Sequence, residues 1–292
     1  MEYKMDHKRR GNALIFNQKN FQSNSSTRHG TDKDRDNLKK SKTDPTMEYE
    51  MNHERRGLAL IFNHEHFQFG RERRGTKIDR DILKQRFQAL GFEVNIHDNK
   101  NKTEVLKEIL KAAEMDHADA DCFVCVFLTH GKEGQISASD DMINIKEITD
   151  PFRGDQCKSL VGKPKIFIFQ ACAGEKYEDA VTGMVGGFSD DTEEDLPYIY
   201  TIPAGADFLM CYSVAEGFYS FRDIKSGTFY IQDLCEMLEQ HGSTLEFTEL
   251  LTLVNLKVSR RDAKMGLGKM PKKQMPCFTS MLTKKLYFRC NK

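Results

Sequence analysis

The amino-acid sequence predicts an α/β fold in which helices cover both faces of a mainly parallel β-sheet. Residues 122–128 and 166–169 form two short runs that are apolar throughout and rich in β-branched and aromatic side chains. Runs of this kind are typical of strands that are buried on both faces. They alternate along the chain with segments whose apolar residues recur at helical spacing, and this order favours parallel strands joined by helices.

The expected elements follow one another in order from residue 58. Strands are expected at residues 58–63, 92–96, 122–128, from 165, at 208–214 and near 278–288. Helices are expected at residues 76–90, 103–115, 228–241 and 245–260, and a polar hairpin around 137–144 precedes a further short helix. Gly91 follows the first helical pattern and is a common helix terminator.

The periodic pattern is lost between residues 175 and 197. This stretch contains many acidic residues together with glycine and serine, and it has little apolar surface to bury. Such a composition favours a loop or linker.

Composition excludes several classes of protein. Lysine plus arginine equals aspartate plus glutamate at 44 each, which argues against a basic nucleic-acid-binding face. No apolar run has the length of a membrane span, and the charged N-terminus does not resemble a secretory signal. Eight cysteines without such a signal suggest reduced thiols of the cytoplasm or nucleus.

The first hundred residues contain a partial duplication. Residues 1–17 recur as residues 47–63, and shorter matches follow in both copies. The first copy ends at Leu38 and becomes polar, whereas the second copy continues into the rest of the chain. Two copies do not make a solenoid, so a duplicated coding segment or an error in the gene model is the simplest explanation.

The two copies compete for one position in the sheet. We expect residues 58–63 to occupy it, because the helix that follows this copy is complete. Residues 1–46 are then expected to be an exposed and partly disordered appendage. An autoinhibitory role for this appendage is the alternative.

A cysteine and a histidine each follow a predicted core strand. His130 comes after the run 122–128, and Cys172 comes after the strand that begins at Lys165. Open α/β sheets place their binding sites at the carboxyl ends of the strands. A buried structural thiol is the simpler interpretation of a single cysteine, but a histidine at a neighbouring strand end favours a reactive site.

The segment from Gln170 to Gly174 reads Gln-Ala-Cys-Ala-Gly, and His130 precedes its cysteine by about forty residues. This pattern resembles the signature of the caspase family, the cysteine proteases that cut after aspartate. Similar blocks occur at residues 162–165, 204–213, 230–235, 250–255 and 281–286, so the resemblance runs from about Met47 to Phe288 and is greatest to the executioner caspases. It implies a three-layer sandwich around a six-stranded, mainly parallel sheet.

The resemblance implies a role for each matching residue of the reaction centre. Cys172 would be the nucleophile, and His130 would be the base, because a nearby imidazole increases the thiolate population. The backbone N–H groups of Gly131 and Cys172 would stabilise the oxyanion. No cofactor or metal is implied.

Aspartate selectivity requires cationic side chains that can grip a carboxylate. By motif position these are Arg73 and Arg222, with Gln170 between them, because a planar guanidinium binds a carboxylate through two hydrogen bonds. Arg28 in the first copy is assigned no role. The segment that pairs with the extended substrate would contain Tyr219, Ser220, Phe221 and Arg222, and Tyr219 and Phe221 would form the wall of the adjacent subsite.

Three residues depart from the family pattern. Ala173 stands where most members have arginine, and we expect this change to lower the rate or the efficiency of activation without abolishing activity. Phe221 replaces a histidine of close members and suggests a more apolar subsite. Phe229 replaces a common tryptophan, so the pocket is kept but its size changes.

The linker aspartates fit a precursor that is activated by cleavage. Asp179 is the best-placed site, and Asp191 and Asp195 are the alternatives; an acidic loop that is never cut is the simpler interpretation. Cleavage by an upstream caspase or by the chain itself would separate a large-subunit portion (47–179) and a linker (180–197) from a small-subunit portion (198–292). The portions would remain associated as a homodimer of large/small pairs that acts on protein substrates, without nucleic acid or membrane.

Two competing functions come from other classes. The first is a catalytically weakened regulator that forms mixed dimers with active relatives, which the duplication and Ala173 would support. The presence of all five predicted site residues, Cys172, His130, Gln170, Arg73 and Arg222, argues against it. The second is a thiol redox enzyme that uses Cys122 and Cys125, but their position inside an apolar strand favours core packing.

Overall fold

The computed structural model describes residues 47–132, 134–171, 178–179, 205–214, 220–263 and 272–289. The strands in these ranges are β1 (Leu58–Asn63), β2 (Glu93–Asp98), β3 (Phe123–Leu128), β4 (Gly131–Lys132), β5 (Gln135–Ser137), β6 (Met142–Asn144), β7 (Lys165–Gln170), β8 (Glu178–Asp179), β9 (Phe208–Tyr212), β10 (Arg222–Asp223), β11 (Gly227–Thr228), β12 (Lys272–Lys273) and β13 (Cys277–Ser280).

The helices of the same ranges are α1 (Thr76–Ala89), α2 (Lys102–Glu114), α3 (Ile145–Thr149), α4 (Phe229–His241) and α5 (Phe247–Arg260). Short 3₁₀ turns follow α3 at Asp150–Phe152 and Lys158–Leu160. Within the described ranges, no helix combines the length and the hydrophobicity that a membrane crossing requires.

Six of the described strands form the central sheet, in the order β13-β9-β7-β3-β1-β2. All neighbouring pairs are parallel except β13 and β9. The prediction of a mainly parallel α/β sheet is therefore confirmed. The expected polar hairpin is also present, because β5 and β6 pair antiparallel.

Alternate side chains of the central strands point to opposite faces of the sheet and build two separate cores. On one face, Ile61 and Val126 belong to a cluster that includes residues of α1, α4 and α5. On the other face, Phe62 and Phe127 stack with ring centroids 4.8 Å apart and pack with α2 and α3. Helices therefore cover both faces, as predicted. Cys125, expected in the core, is fully buried in the second cluster.

Helix starts follow from local hydrogen bonding. Asn101 and Glu104 form a capping box at the start of α2, in which each side chain accepts from the other residue's backbone N–H. Glu246 performs a similar function for α5, where its carboxylate accepts from the backbone N–H groups of Thr248 and Glu249.

The second copy of the duplicated segment supplies β1, and the first copy lies outside the described residues. Tyr49 in the second copy donates its hydroxyl hydrogen to Asp207 at 2.6 Å, and Arg56 contacts the buried Asp121 at 3.0 Å. The Tyr49 contact ties the start of the described chain to the residue that precedes β9.

The predicted final strand near 278–288 is wrong in its second half. β13 ends at Ser280, which lies opposite Leu209 near the start of β9. Backbone hydrogen bonds between Met281 and both Phe208 and Asp207 extend this pairing by one residue. Asp207 has a positive φ of 70°, which interrupts the extended conformation before β9. Leu286 and Phe288 are buried in the core but lie outside β13.

The expectation of a loop throughout 175–197 is wrong at two of its residues. Glu178–Asp179 forms β8, which pairs antiparallel with Lys272–Lys273. This pairing uses backbone N–H and C=O groups, which nearly every residue has. Hydropathy patterns indicate only which side chains are buried, so they did not predict it. The other residues of this stretch lie outside the described ranges.

The parallel strands place their carboxyl ends at one edge of the sheet. Leu128 at the end of β3 is paired with Gln170 at the end of β7, and Asn63 at the end of β1 is paired with Leu128. The backbone N–H of Thr129 donates to the carbonyl of Gln170 at 3.1 Å, so the pairing continues one residue past the end of β3. His130, the next residue, is therefore carried to this edge.

Gly57 should tolerate no side chain. It has a φ of +128°, and a Cβ there would lie 1.9 Å from the carbonyl oxygen of Cys122. Gly57→Ala should lower the free energy of unfolding by about 3 to 5 kcal/mol, from combined backbone strain and steric overlap. Urea denaturation monitored by circular dichroism measures this loss.

Gly91→Ala is the matched control, since Gly91 has a φ of +88° but its Cβ would meet only a side chain at 3.6 Å. Backbone strain alone should cost about 1 to 2 kcal/mol there. Equal losses for the two variants would contradict the steric explanation.

Candidate active site

A polar cavity of about 130 Å³ lies at the carboxyl edge of the sheet. The lining of this cavity includes six residues that the sequence analysis assigned to the site: Arg73, His130, Gln170, Ser220, Phe221 and Arg222. Thr129, Ala171 and Thr228 complete the lining in the described part of the chain. These residues come from four separate segments, so the fold brings together what the sequence spreads over about 150 positions.

Arg73 is buried, with only 2% of its surface exposed. Its Nη1 donates to the hydroxyl of Thr76 at 2.7 Å, and that hydroxyl donates to Asn63 at 2.7 Å. The guanidinium is therefore fixed to the first turn of α1 and to the end of β1. Burying a charged guanidinium costs desolvation free energy. A buried arginine beside a cavity therefore indicates that its charge has a role there.

Arg222 enters the cavity from a different element. It lies in β10, which pairs antiparallel with β11, so that Arg222 is opposite Thr228. Arg222 is partly exposed, in contrast to the buried Arg73. One cationic side chain is thus part of the core, and the other belongs to a two-stranded hairpin at the rim.

Gln170 and Ser220 connect the sheet to the segment before this hairpin. The Gln170 Nε2 donates to the Ser220 hydroxyl oxygen at 2.7 Å, and both residues are buried. The Gln170 Oε1 is buried and has no hydrogen-bond partner among the described residues. This unpaired oxygen can accept a hydrogen bond when a ligand enters the cavity.

His130 is held by a backbone carbonyl and an aromatic ring. Its Nε2 donates to the carbonyl oxygen of Arg71 at 2.8 Å, and its ring lies 4.8 Å from that of Phe67. Because a carbonyl only accepts, Nε2 carries the hydrogen and Nδ1 keeps the lone pair. Burial lowers the pKa of His130, and the positive charges of Arg73 and Arg222 lower it further. The neutral imidazole, which can accept a proton, is therefore favoured.

Two predicted site residues lie beside the cavity and are not part of its described lining. Phe229 begins α4, with its ring 6.2 Å from that of Phe221 and the guanidinium of Arg261 5.0 Å from its ring centre. Gly131 lies in β4 opposite Ile136, directly after His130.

Several predicted residues fall outside the described ranges. They are Cys172, Tyr219, Asp191 and Asp195, together with Ala173. Ala171, the neighbour of Cys172 in the sequence, lines the cavity, and its carbonyl accepts from the Ser213 hydroxyl at 3.0 Å. The backbone of Asp179 is described, as part of β8.

Three functional groups were missed by sequence reasoning. The carbonyl of Arg71 could not be predicted, because any residue supplies one. Gln274 is 2% exposed and links two backbones: its Oε1 accepts from the Phe221 N–H at 2.9 Å, and its Nε2 donates to the Ser213 carbonyl at 2.8 Å. Asp79 did leave a signal, since it lies on the apolar face of α1, four residues before the buried Leu83.

The proposed redox pair is not placed for that chemistry. Cys122 and Cys125 are both fully buried, and burial raises the pKa of each thiol well above its ordinary value. Thiolates are therefore strongly disfavoured at both positions, and the interpretation as core residues is confirmed.

An imidazole and a buried guanidinium lie together at one cavity of an α/β sandwich, an arrangement that suits a ligand with an acidic side chain. The chain belongs to the caspase family, since the model for the Caspase domain matches residues 56–287.

Similar proteins agree with this assignment. The chain is 54% identical to Caspase-6 of Gallus gallus over 296 residues, covering 99% of this chain and 83% of that protein. It is 52% identical to Caspase-6 of Mus musculus, covering 98% and 91% respectively. The crystal structure of Caspase-1 from Spodoptera frugiperda superposes with a TM-score of 0.76 at 37% identity, covering 86% of this chain and 98% of that one.

The expected activity follows from these relatives. The chain is a cysteine-type endopeptidase that cleaves protein substrates after aspartate, and it is an executioner protease of the caspase-6 kind. The alternative of a weakened regulator in mixed dimers gains no support from them.

The pKa of His130 should lie below the ordinary value of 6.5. Titration of the Cys172→Ala protein, followed by NMR of the imidazole protons, should therefore give a midpoint below 6.5, with the ring neutral above it. Arg222→Ala should move this midpoint upward, because a nearby positive charge is removed.

Arg74→Ala is the matched control for this titration, because Arg74 is exposed and pairs with Glu72. It should leave the midpoint of His130 unchanged. A midpoint above 6.5, or equal shifts in the two arginine variants, would contradict the described electrostatics.

Proposed function

We propose that Cys172 and His130 form the catalytic pair and that the described cavity is the pocket for the substrate aspartate. The single observation that carries this proposal is the convergence of His130, Arg73, Gln170 and Arg222 on one cavity. The neutral His130 takes the thiol proton, and the Cys172 thiolate attacks the scissile carbonyl carbon. The imidazolium then returns the proton to the leaving amine, and water releases the acyl group.

The contact with Arg71 supports this role for His130. With Nε2 donating to a backbone carbonyl, Nδ1 is the nitrogen that exchanges the proton. The carbonyl also stabilises the imidazolium once it forms, because the hydrogen bond then becomes charge-assisted. The backbone N–H groups of Gly131 and Cys172 are assigned to the developing oxyanion.

The aspartate pocket combines two different arginines with one amide. Arg73 is rigid and buried, which favours precise placement of the substrate carboxylate. Gln170 now donates to Ser220 and leaves Oε1 unpaired. Gln170 lines the cavity together with both arginines, so its amide is assigned to contact the substrate carboxylate.

The substrate backbone is assigned to the segment that contains Tyr219, Ser220, Phe221 and Arg222. Gln274 holds Phe221 through its N–H, and the Phe221 carbonyl accepts from Phe229 at 3.4 Å. With Phe221 bound on its inner side, an extended ligand pairs with the neighbouring residues of the segment. Phe221 and Phe229 form an apolar wall for the adjacent subsite.

Maturation is assigned to cleavage after Asp179, with Asp191 and Asp195 as alternatives. The portions 47–179 and 198–292 both contribute strands to the central sheet, through the parallel pairing of β7 with β9. This shared sheet supports the expectation that the cleaved portions stay together. The pairing of two such units into a dimer is assigned from the similarity to the caspase family. We assign the protein to the cytoplasm, and to the nucleus as the alternative, because its thiols suit a reducing compartment.

The proposed nucleophile is tested with a peptide electrophile that carries aspartate at its reactive end. The wild-type protein should be labelled, and Cys172→Ala should not be labelled at all, because the attacking sulfur is gone. Arg73→Ala and Arg222→Ala should slow labelling by at least about tenfold, the effect expected from losing one charged hydrogen-bonding group. Mass spectrometry of the intact protein measures each rate.

Cys277→Ala is the control, since Cys277 is a partly exposed cysteine with no assigned role. Its labelling should equal that of the wild type. Labelling that persists in Cys172→Ala would reject the catalytic assignment.

The processing assignment is tested by mass spectrometry of the mature protein. The large fragment should end at Asp179, and Asp179→Ala should shift cleavage to Asp191 or Asp195 or prevent it. Asp190→Ala should change nothing, because Asp190 is assigned no role. An active protein that remains one intact chain would reject processing as the route to activity.

A further inference from the structure

Asp79 is a fully buried carboxyl group that the catalytic scheme does not use. It lies in the first turn of α1, and its exposed fraction is 0%. Its Oδ1 accepts the backbone N–H of Thr228 at 2.8 Å. Because Thr228 is paired with Arg222 across the hairpin, this one hydrogen bond connects α1 to the strand partner of the rim arginine.

The surrounding backbone is built for this close approach. A Cβ at Gly227 would lie 2.3 Å from the Oδ1 of Asp79, and a Cβ at Gly75 would lie 2.7 Å from the carbonyl oxygen of Ile224. Both glycines have positive φ, at +93° and +87°. The hairpin therefore meets α1 at two positions where any larger residue would push the two elements apart.

The charge of Asp79 is not explained by folding alone. Its Oδ2 is buried without a hydrogen-bond partner among the described residues, which is costly for a carboxylate. An uncharged amide could accept the same hydrogen bond from Thr228 at lower cost. A buried carboxylate that lowers the stability of the folded protein suggests a role in function.

The charges around Asp79 indicate that purpose. Burial raises the pKa of Asp79 to about 6, and hydrogen bonding from Thr228 and then the positive charges of Arg73 and Arg222 act in the opposite direction. The carboxyl group thus lies within the electrostatic reach of both arginines that line the cavity. On α4, burial raises the pKa of the Cys235 thiol, and the negative charge of Asp79 raises it further.

We propose that Asp79 is a positioning residue for the aspartate pocket: its carboxylate anchors the Arg222 hairpin to α1 and balances the repulsion between the Arg73 and Arg222 guanidinium groups. Two like charges beside one small cavity repel, and Arg222 is the partly exposed member of the pair. The carboxylate holds both in place while the pocket is empty. This inference rests on the proposed assignment of the cavity as the aspartate pocket.

Asp79→Asn separates the two parts of the role, since the amide oxygen can still accept from Thr228 but carries no charge. Ionisation of Asp79 costs stability as the pH rises from 3.8 through about 6, because its folded-state pKa is raised. At pH 7.5 the variant should therefore unfold at the same urea concentration as the wild type or a higher one. The KM for an aspartyl peptide should rise about tenfold, with kcat changed less than about threefold.

Inhibition by a peptide aldehyde with a terminal aspartate gives the binding change directly, and its Ki should rise with the KM. Asp81→Asn is the matched control, because Asp81 is an exposed carboxylate of the same helix that pairs with Arg80. It should leave KM, kcat and Ki unchanged. Asp79→Ala, which loses the hydrogen bond as well, should lower stability and raise KM together.

An unchanged or lowered KM in a folded Asp79→Asn protein would overturn the inference. A large loss of stability in that variant would also overturn it, because the charge would then serve the fold. Wild-type turnover of the aspartyl peptide and its loss in Cys172→Ala are measured in the same assay. If the wild type does not turn over the peptide, or if Cys172→Ala still does, the proposed function is rejected. If both controls behave as expected and Asp79→Asn has the wild-type KM, only the role of Asp79 is rejected.

Discussion

The parallel pairing of β3 with β7 is the constraint on which the rest of the structure depends. Its register places Leu128 opposite Gln170, and the backbone bond from Thr129 to Gln170 extends it by one more residue. A parallel strand cannot slip by one residue without turning its core side chains to the opposite face. The apolar cores on both faces of the sheet thus fix the distance along the strands between His130 and the segment that leads to Cys172.

The cavity is then completed by elements from both portions of the chain. Arg73 comes from the segment that leads into α1, whereas Ser220, Phe221 and Arg222 come from the far side of the predicted linker. The two sets meet through Gln170 and Asp79, whose buried side chains bond to Ser220 and to the backbone of Thr228. Gln274 holds Phe221 and Ser213 together within the second set. The cavity is therefore a property of the whole fold, and the guanidinium of Arg73 is held by Thr76, which is itself buried.

Much of the fold could be predicted from the sequence, because buried strands and amphipathic helices leave periodic patterns. The runs that became β1, β3 and β7 were recognisable for this reason. The end of β13 at Ser280 was not, because strand length there depends on the partner β9. The pairing of Glu178–Asp179 was also missed, since it uses backbone groups that every sequence contains.

The candidate site shows the same division. His130, Gln170, Arg73 and Arg222 were found because they lie in recognisable motifs, whereas Gln274 stands in a polar stretch with no pattern of its own. Asp79 was in phase with the buried face of α1, and a charged residue in that position was a usable signal. The carbonyl of Arg71 acts through geometry alone, so coordinates were required to find it.

The central claim is that a cavity lined by two arginines selects a negatively charged side chain. The most direct test compares kcat/KM for two peptides that differ only in aspartate or asparagine at the cleaved position, since these side chains have nearly the same size. A site built around Arg73 and Arg222 predicts a preference for aspartate on the order of a thousandfold or more, because the asparagine amide leaves the buried guanidinium without its anionic partner. Comparable cleavage of the two peptides would contradict it.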